Sequence, residues 1–364
     1  MKIWIVWLPN VGKSTLFNAL TKSYAADSAN FPFCTIEPNV WIVDVKDERL
    51  DRLAAISNTK KIIYANTNFI DIAGIVKWAS DGEGLGNKFL SHIREVDAIV
   101  QVVRHFKDDD VVHVEWWPDP LRDIEIINME LIIADIQMID NIVWPLQRKL
   151  KSRDPEATLL CDVLERLKTH LGDGHLAVDF EFTDKENDAL NAYNFLTTKP
   201  FLYALNVTET DLKNADALRA EYESKLGKQV AIVSAKFETE IMDMDKEDKD
   251  MFMEDLKDGK DVKIPTLDDL IKMAYDTLGL MYYFTTGEKE SRAWSIHKWY
   301  TAPQWAGVIH TDFERGFIKA EVVSYDDFVE TGWWSGAKEK WKLRLEWKQY
   351  ILQDGDVITF RFNV

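Results

Sequence analysis

Cysteine is almost missing: Cys34 and Cys161 are the only thiols in 364 residues. Two thiols cannot build a disulfide framework, so the chain reads as a protein of a reducing compartment, with each thiol a small packed or surface residue. Basic charge is also short, 44 Lys and Arg against 62 Asp and Glu, for a net charge of −18. That excludes a global electrostatic footprint for nucleic acid but leaves room for a local basic face. The deficit is uneven, with 18 acidic against 10 basic side chains in residues 206–270 and 12 against 11 in residues 281–364. No run of 18 apolar residues occurs, which excludes a membrane-spanning helix. The first apolar strand pattern begins at Ile3, so no secretion signal is expected and the cytoplasm follows. Internal repeats and low-complexity tracts are absent too.

What is present is 46% hydrophobic residues on a chain long enough for two or three domains. Short apolar runs at Ile3–Val6, Ile42–Val45, Asn68–Asp71 and Ala98–Val103 alternate with helical patterns, the signature of a parallel sheet covered by crossover helices. Two further strand patterns come later, at Phe201–Asn206 and Val230–Ser234. Between the two sets, the helical patterns Asp123–Leu150, Pro155–Leu171 and Asp184–Leu196 predict an all-helical insertion. The charged stretch Glu238–Asp261 reads as a solvated helical face or loop. From Met281 onward, short strands such as Gly316–Val323 and Asp354–Phe360 predict a small β-rich domain. The expected organisation is an α/β domain over residues 1–125 and 199–280, a helical insertion over 126–198, and a separate domain over 281–364.

The segment Trp7-Leu8-Pro9-Asn10-Val11-Gly12-Lys13-Ser14-Thr15 follows the pattern G-x-x-x-x-G-K-[ST] except at its first position, where Trp7 replaces Gly. In such a loop, backbone N–H groups from Asn10 to Thr15 curl around phosphates, Lys13 reaches the β and γ oxygens, and Ser14 ligates Mg²⁺. The helix pattern Ser14–Lys22 adds its positive N-terminal dipole. Downstream, Phe69-Ile70-Asp71-Ile72-Ala73-Gly74 ends an apolar strand with a carboxylate, Asp71, to hold the metal through water, and with Gly74, whose N–H senses the γ-phosphate. Thr35, in a Pro-bounded loop between the two motifs, is a switch residue closing on Mg²⁺ or an ordinary loop residue.

Ile75 stands where a Ras-like GTPase keeps its water-orienting Gln. Hydrolysis therefore needs another device. Asn10 offers a side-chain carbonyl for a monovalent cation such as K⁺, the alternative being a turn-forming Asn. For the base, Asn206-Val207-Thr208-Glu209 replaces the N-K-x-D of GTPases: Glu209 is one methylene longer than Asp and the Lys is missing, so guanine-reading geometry is lost. Ser234-Ala235-Lys236 closes the base pocket from the next loop.

Together these residues resemble the YchF family, or Obg-like ATPases. The resemblance extends through Ala29-Asn30-Phe31-Pro32-Phe33-Cys34-Thr35-Ile36-Glu37-Pro38-Asn39, Asp81-Gly82-Glu83-Gly84-Leu85-Gly86-Asn87 and Ile309-His310-Thr311-Asp312-Phe313-Glu314. It implies a P-loop domain of the GTPase superfamily that prefers ATP, a coiled-coil helical insertion, and a C-terminal β-grasp-like TGS domain. It also implies ribosome association, a role in translation or stress response, and RNA contact through the TGS domain. His113 resembles the family's catalytic histidine; read from its Val neighbours alone, it is a packed strand residue. His310 reads as structural or partner-facing. Trp4, Trp7, Trp78, Trp116, Trp299, Trp341 and Trp347 fall where the family usually has Gly, and Trp305 where it usually has Ala. Gly adopts positive φ at no steric cost and Trp does not, so strain is expected at these positions. The resulting expectation is a Mg²⁺-dependent ATPase; a GTPase and a ribosome-binding scaffold with an impaired phosphate loop are the alternatives.

Overall fold

The computed structural model describes residues 1–25, 40–71, 94–106, 119–152, 154–242, 244–259 and 261–363. Thr35, Gly74, His113, Trp78 and Trp116 lie outside the described residues. The chain divides into two compact units, Met1–Trp41 with Asn68–Leu270, and Ile42–Thr67 with Ile271–Val364.

The strands of the first half are β1 (Lys2–Trp7), β2 (Val40–Val45), β3 (Ile62–Ile63), β4 (Ala65–Asp71), β5 (Ala98–Arg104), β6 (Phe201–Asn206) and β7 (Val230–Val233). Six of them form one sheet in the order β2-β4-β1-β5-β6-β7. The pairs β1–β4, β1–β5, β5–β6 and β6–β7 are all parallel. Every residue of β5, β6 and β7 is buried. Strands covered on both faces read as continuous apolar runs, which is why the sequence pattern locates them closely.

Helix α1 (Lys13–Ala25) leaves the loop after β1, and α2 (Glu48–Ile56) follows β2. The helical region opens with α3 (Pro120–Lys151) and α4 (Pro155–Gly172). Each has an Asp N-cap and Pro at its first position: Asp119 accepts from the Arg122 N–H, and Asp154 from those of Glu156 and Ala157. Asp135 fastens α3 to the segment entering β6. Fully buried, it accepts from the Leu196 N–H (3.0 Å), the Thr197 N–H (2.7 Å) and hydroxyl (2.8 Å), and Arg94 (3.1 Å). Further on come α5 (Asp184–Leu190), α6 (Ala215–Leu226), α7 (Ala235–Met242), α8 (Lys246–Lys257) and α9 (Leu267–Thr277).

The stretch Glu238–Asp261 is mostly exposed along α8, as its charge suggests, but Glu238 on α7 is not. It is 6% exposed, and its carboxylate accepts from the Leu267 N–H at 2.7 Å. Burial pushes its pKa up to about 7, against the weaker lowering effects of that hydrogen bond and Lys249.

The second unit is built on β8 (Leu280–Thr286), β9 (Ser291–His297), β10 (Phe317–Val323), β11 (Arg344–Glu346) and β12 (Val357–Phe362), in the sheet order β11-β10-β12-β8-β9-β3. β8 and β9 form an antiparallel hairpin, and β12 returns parallel to β8. Helix α10 (Ala302–Ile309) packs its Trp305 into the core with Tyr283, Phe317 and Phe360. This is a β-grasp arrangement. The short helices α11 (Thr311–Arg315), α12 (Tyr325–Thr331) and α13 (Trp334–Glu339) complete it. His310 caps α11, its Nδ1 accepting from the Asp312 N–H at 3.1 Å, a structural task. The segment after β2 joins this unit: β3 pairs with β9, and the Thr59 hydroxyl donates to the Gly287 carbonyl at 2.8 Å.

Candidate nucleotide site

The loop between β1 and α1 takes its shape from two unusual backbone conformations, Asn10 at φ 64° and Gly12 at φ 91°. Asn is the non-glycine residue best suited to the left-handed region. At Gly12 only glycine fits, because a Cβ there would also stand 2.5 Å from Asn206 Nδ2. Lys13 and Ser14 begin α1, whose free N–H groups and dipole face the loop.

A cavity of about 740 Å³ opens above this loop, within the usual size range of ligand sites. Its phosphate end is lined by Pro9, Asn10, Gly12, Lys13, Ser14 and Thr15. The other end is lined by Asn206, Val207, Thr208, Glu209 and Thr210 from the β6 loop, and by Ser234 to Phe237 from the β7 loop. Both loops lie at the carboxyl ends of parallel strands, where open α/β sheets bind ligands.

Asn206 ties the ends together. Its Nδ2 donates to the Val11 carbonyl at 2.8 Å, and its Oδ1 accepts from the Ala235 N–H at 3.0 Å. It thus acts on the site by holding two loops in register. Val11 is fully buried and contributes that carbonyl. Glu209 opens a 3₁₀ turn capped by Thr208, whose hydroxyl donates to Asp211 at 2.6 Å. Asp71 ends β4 and pairs in register with Ile5 of β1, so the carboxylate-bearing strand lies beside the one that feeds the phosphate loop.

Several lining residues escape a reading of motifs. Phe106, Thr210 and Phe237 are single residues outside any pattern. Arg104, only 1% exposed, ends β5; its Nε donates to the Phe106 carbonyl at 2.9 Å and its Nη1 to the Asn10 carbonyl at 3.4 Å. Its guanidinium also lies 4.5 Å from the Phe106 ring centroid. A cation closing the apolar run Ala98–Val103 is the signal that marks it.

Trp7 occupies the last position of β1 and is 4% exposed, edge-on to Phe17 at 5.0 Å. The Lys13 ammonium sits 4.6 Å from its ring centroid. The ring therefore lies under the phosphate loop without blocking the cavity.

For Mg²⁺, the donor set of hydroxyl and carboxylate oxygens suits a hard cation, and the Ser14 hydroxyl is exposed at the head of α1. No group of three metal-ligating side chains occurs among the described residues, which do not include Thr35.

Residues 2–137 match the family described as 50S ribosome-binding GTPase, and residues 280–363 match the C-terminal domain of YchF GTPases, described as a protein of unknown function. The Ribosome-binding ATPase YchF of Bacillus subtilis is 49% identical, covering 99% of this chain and 98% of the relative. Obg-like ATPase 1 of Gallus gallus is 44% identical, covering 100% and 92%. Among solved structures, the YchF GTPase of Schizosaccharomyces pombe superposes with a TM-score of 0.84 at 34% identity, covering 99% of this chain and 97% of that one. On similarity that spans both units, the chain belongs to the YchF family.

Proposed function

We propose that the chain binds ATP in the cavity between the phosphate loop and the β6 and β7 loops and hydrolyses it to ADP and phosphate, as a switch on the ribosome. The observation that carries this reading is one continuous cavity with Lys13 and Ser14 at one end and Glu209 at the other. The loop N–H groups and Lys13 hold the β and γ phosphates and stabilise charge on the transferring phosphoryl group. Ser14, Asp71 and Thr35 are the residues to hold Mg²⁺, which when bound neutralises charge on the β and γ oxygens. Gly74 donates to the γ-phosphate. Asn10 is proposed to ligate K⁺ and His113 to position water, the Ras-type Gln being replaced by Ile75.

Ribosome association, a role in translation or stress response, and cytoplasmic location rest on the relatives' ribosome-binding names. No helix among the described residues is long and apolar enough to cross a membrane. RNA contact is proposed for the C-terminal domain, 281–364. The division into a nucleotide domain (1–125 and 199–280) and a helical insertion (126–198) is part of the same proposal, with residues 42–67 packing in the C-terminal unit.

The test is Mg²⁺-dependent turnover of ATP and of GTP, with and without K⁺. Slow ATP turnover, stimulated by K⁺ and exceeding GTP turnover, is expected; no ATP hydrolysis in either salt refutes the proposal. The Lys13 contact with Trp7 favours a second reading, a ribosome-binding scaffold whose lysine is withdrawn from phosphate. Calorimetry without ATP affinity, alongside ribosome co-sedimentation, selects it.

A further inference from the structure

The far end of α3 carries an aromatic ring and cations that the fold does not use. Trp144 is 79% exposed, and no ring or hydrogen-bond partner for it occurs among the described residues. A ring of that size left in water forgoes the burial that a stacking partner would supply. Arg148 and Lys151 follow at i+4 and i+7, which places them on the face that Trp144 occupies. Lys149 stands beside them. All three cations are exposed, and none makes an ion pair among the described residues. Other cations of the hairpin are engaged: Lys168 pairs with Asp140 and Arg166 with Glu186.

Cations in a last helical turn favour the helix dipole, but that role needs no exposed ring beside them. Two carboxylates lie near, Asp154, which caps α4, and Glu156 in the same turn, and against the three cations they leave the patch net positive. In a chain of net charge −18, three cations in four positions around an exposed indole, without an ion pair among the described residues, form a local exception.

We propose that this end of the helical hairpin is a docking surface for single-stranded RNA, with a base stacked on Trp144 and neighbouring phosphates held by Arg148, Lys149 and Lys151. The charge complementarity suits a phosphate chain, and the exposed ring suits a base. Stacking accepts any base, so the surface reads strand character rather than sequence. A membrane surface fits less well, since the apolar area is one ring on a helix face interrupted by Asp140. The inference rests on the ribosome reading only for the natural source of the RNA.

The test titrates the full-length protein against a fluorescein-labelled twelve-residue oligouridylate and follows anisotropy at several salt concentrations. Trp144→Leu is expected to weaken binding about tenfold or more. Arg148→Gln with Lys149→Gln and Lys151→Gln is expected to abolish most of the remaining affinity and to flatten the slope of log K against log salt by about 2. ATP turnover serves as the folding control and stays unchanged. A Lys338→Gln, Lys348→Gln variant in the C-terminal domain, with ribosome co-sedimentation, separates the two ideas. If that variant loses oligouridylate binding while the hairpin variants keep it, the hairpin proposal is overturned and the C-terminal reading stands. Wild-type protein that fails to bind oligouridylate, or hairpin variants that lose anionic-vesicle binding instead, overturns it as well.

Discussion

Trp341 is the residue at which substitution for glycine carries a real backbone cost. It follows α13 at φ 60°, its N–H donating to the Lys338 carbonyl at 3.2 Å, the helix-ending position where glycine is favoured. Its side chain is 92% exposed and gains nothing in return. Trp341→Gly is therefore expected to stabilise the protein by about 1 kcal/mol, read as a higher urea midpoint with an unchanged slope. The other tryptophans expected to be strained are not, where the structure describes them. Trp4 and Trp7 are strand residues, Trp305 is fully buried with its Nε1 donating to the Tyr300 carbonyl at 2.7 Å, and Trp299 stacks on His297 at 4.9 Å. None of these has a positive φ. Backbone without a positive φ admits any side chain, and at Trp4, Trp7 and Trp305 the ring adds burial, whereas Trp299 stays exposed. Arg104 is the second residue whose role only the fold reveals. It holds Asn10 of the phosphate loop and Phe106 of the cavity lining, so Arg104→Met is expected to raise KM for ATP about tenfold while kcat changes less than threefold. Equal loss in kcat, or a collapsed circular dichroism spectrum, would count against a positioning role.

At the scale of elements, α7 joins the nucleotide cavity to a titrating group. Its first turn supplies Ala235, Lys236 and Phe237 to the cavity, and Glu238 follows inside the protein. A carboxyl with a folded pKa of about 7 and an ordinary value of 4.5 binds more protons folded than unfolded between those limits. Its contribution to stability is fully present below about pH 4.5 and is lost as pH rises through 7. Lys249 opposes the shift, and Asp268 and Asp269 reinforce it. The integrated effect is on the order of 3 kcal/mol. Glu238→Gln keeps an acceptor for the Leu267 N–H and removes the titration, so its urea midpoint is expected to be flatter than wild type between pH 5 and 7.5. Parallel profiles would show that other groups set the slope. The same helix shows where a sequence stops being legible. The pattern Glu238–Asp261 looks uniformly solvated because burial of Glu238 depends on Leu267, 29 residues on. By contrast, the strands of the first sheet and the phosphate loop were readable because they rest on local rules: continuous apolar runs for doubly covered strands, and fixed spacing for a loop that wraps phosphate. Phe106 and Thr210 obey no local rule; they line the cavity because β5 and β6 happen to lie side by side.

At the scale of the whole chain, each compact unit has its own apolar core. One is built around Tyr203, Leu205, Ile232 and Phe237, the other around Tyr283, Trp305, Phe317 and Phe360. All residues lining the nucleotide cavity belong to the first. A ligand stabilises only the cooperative unit that binds it, by RT ln(1 + [L]/Kd), about 2.7 kcal/mol at a hundredfold excess over Kd. For a unit of this size that is a shift of roughly 5–10 °C. Differential scanning calorimetry is therefore expected to show two transitions, with Mg²⁺-ATP raising one and leaving the other in place. Trp341→Gly, which lies in the second unit, is expected to raise the transition that ATP leaves alone. A single endotherm that ATP and Trp341→Gly both move as a whole would mean that the two cores melt together.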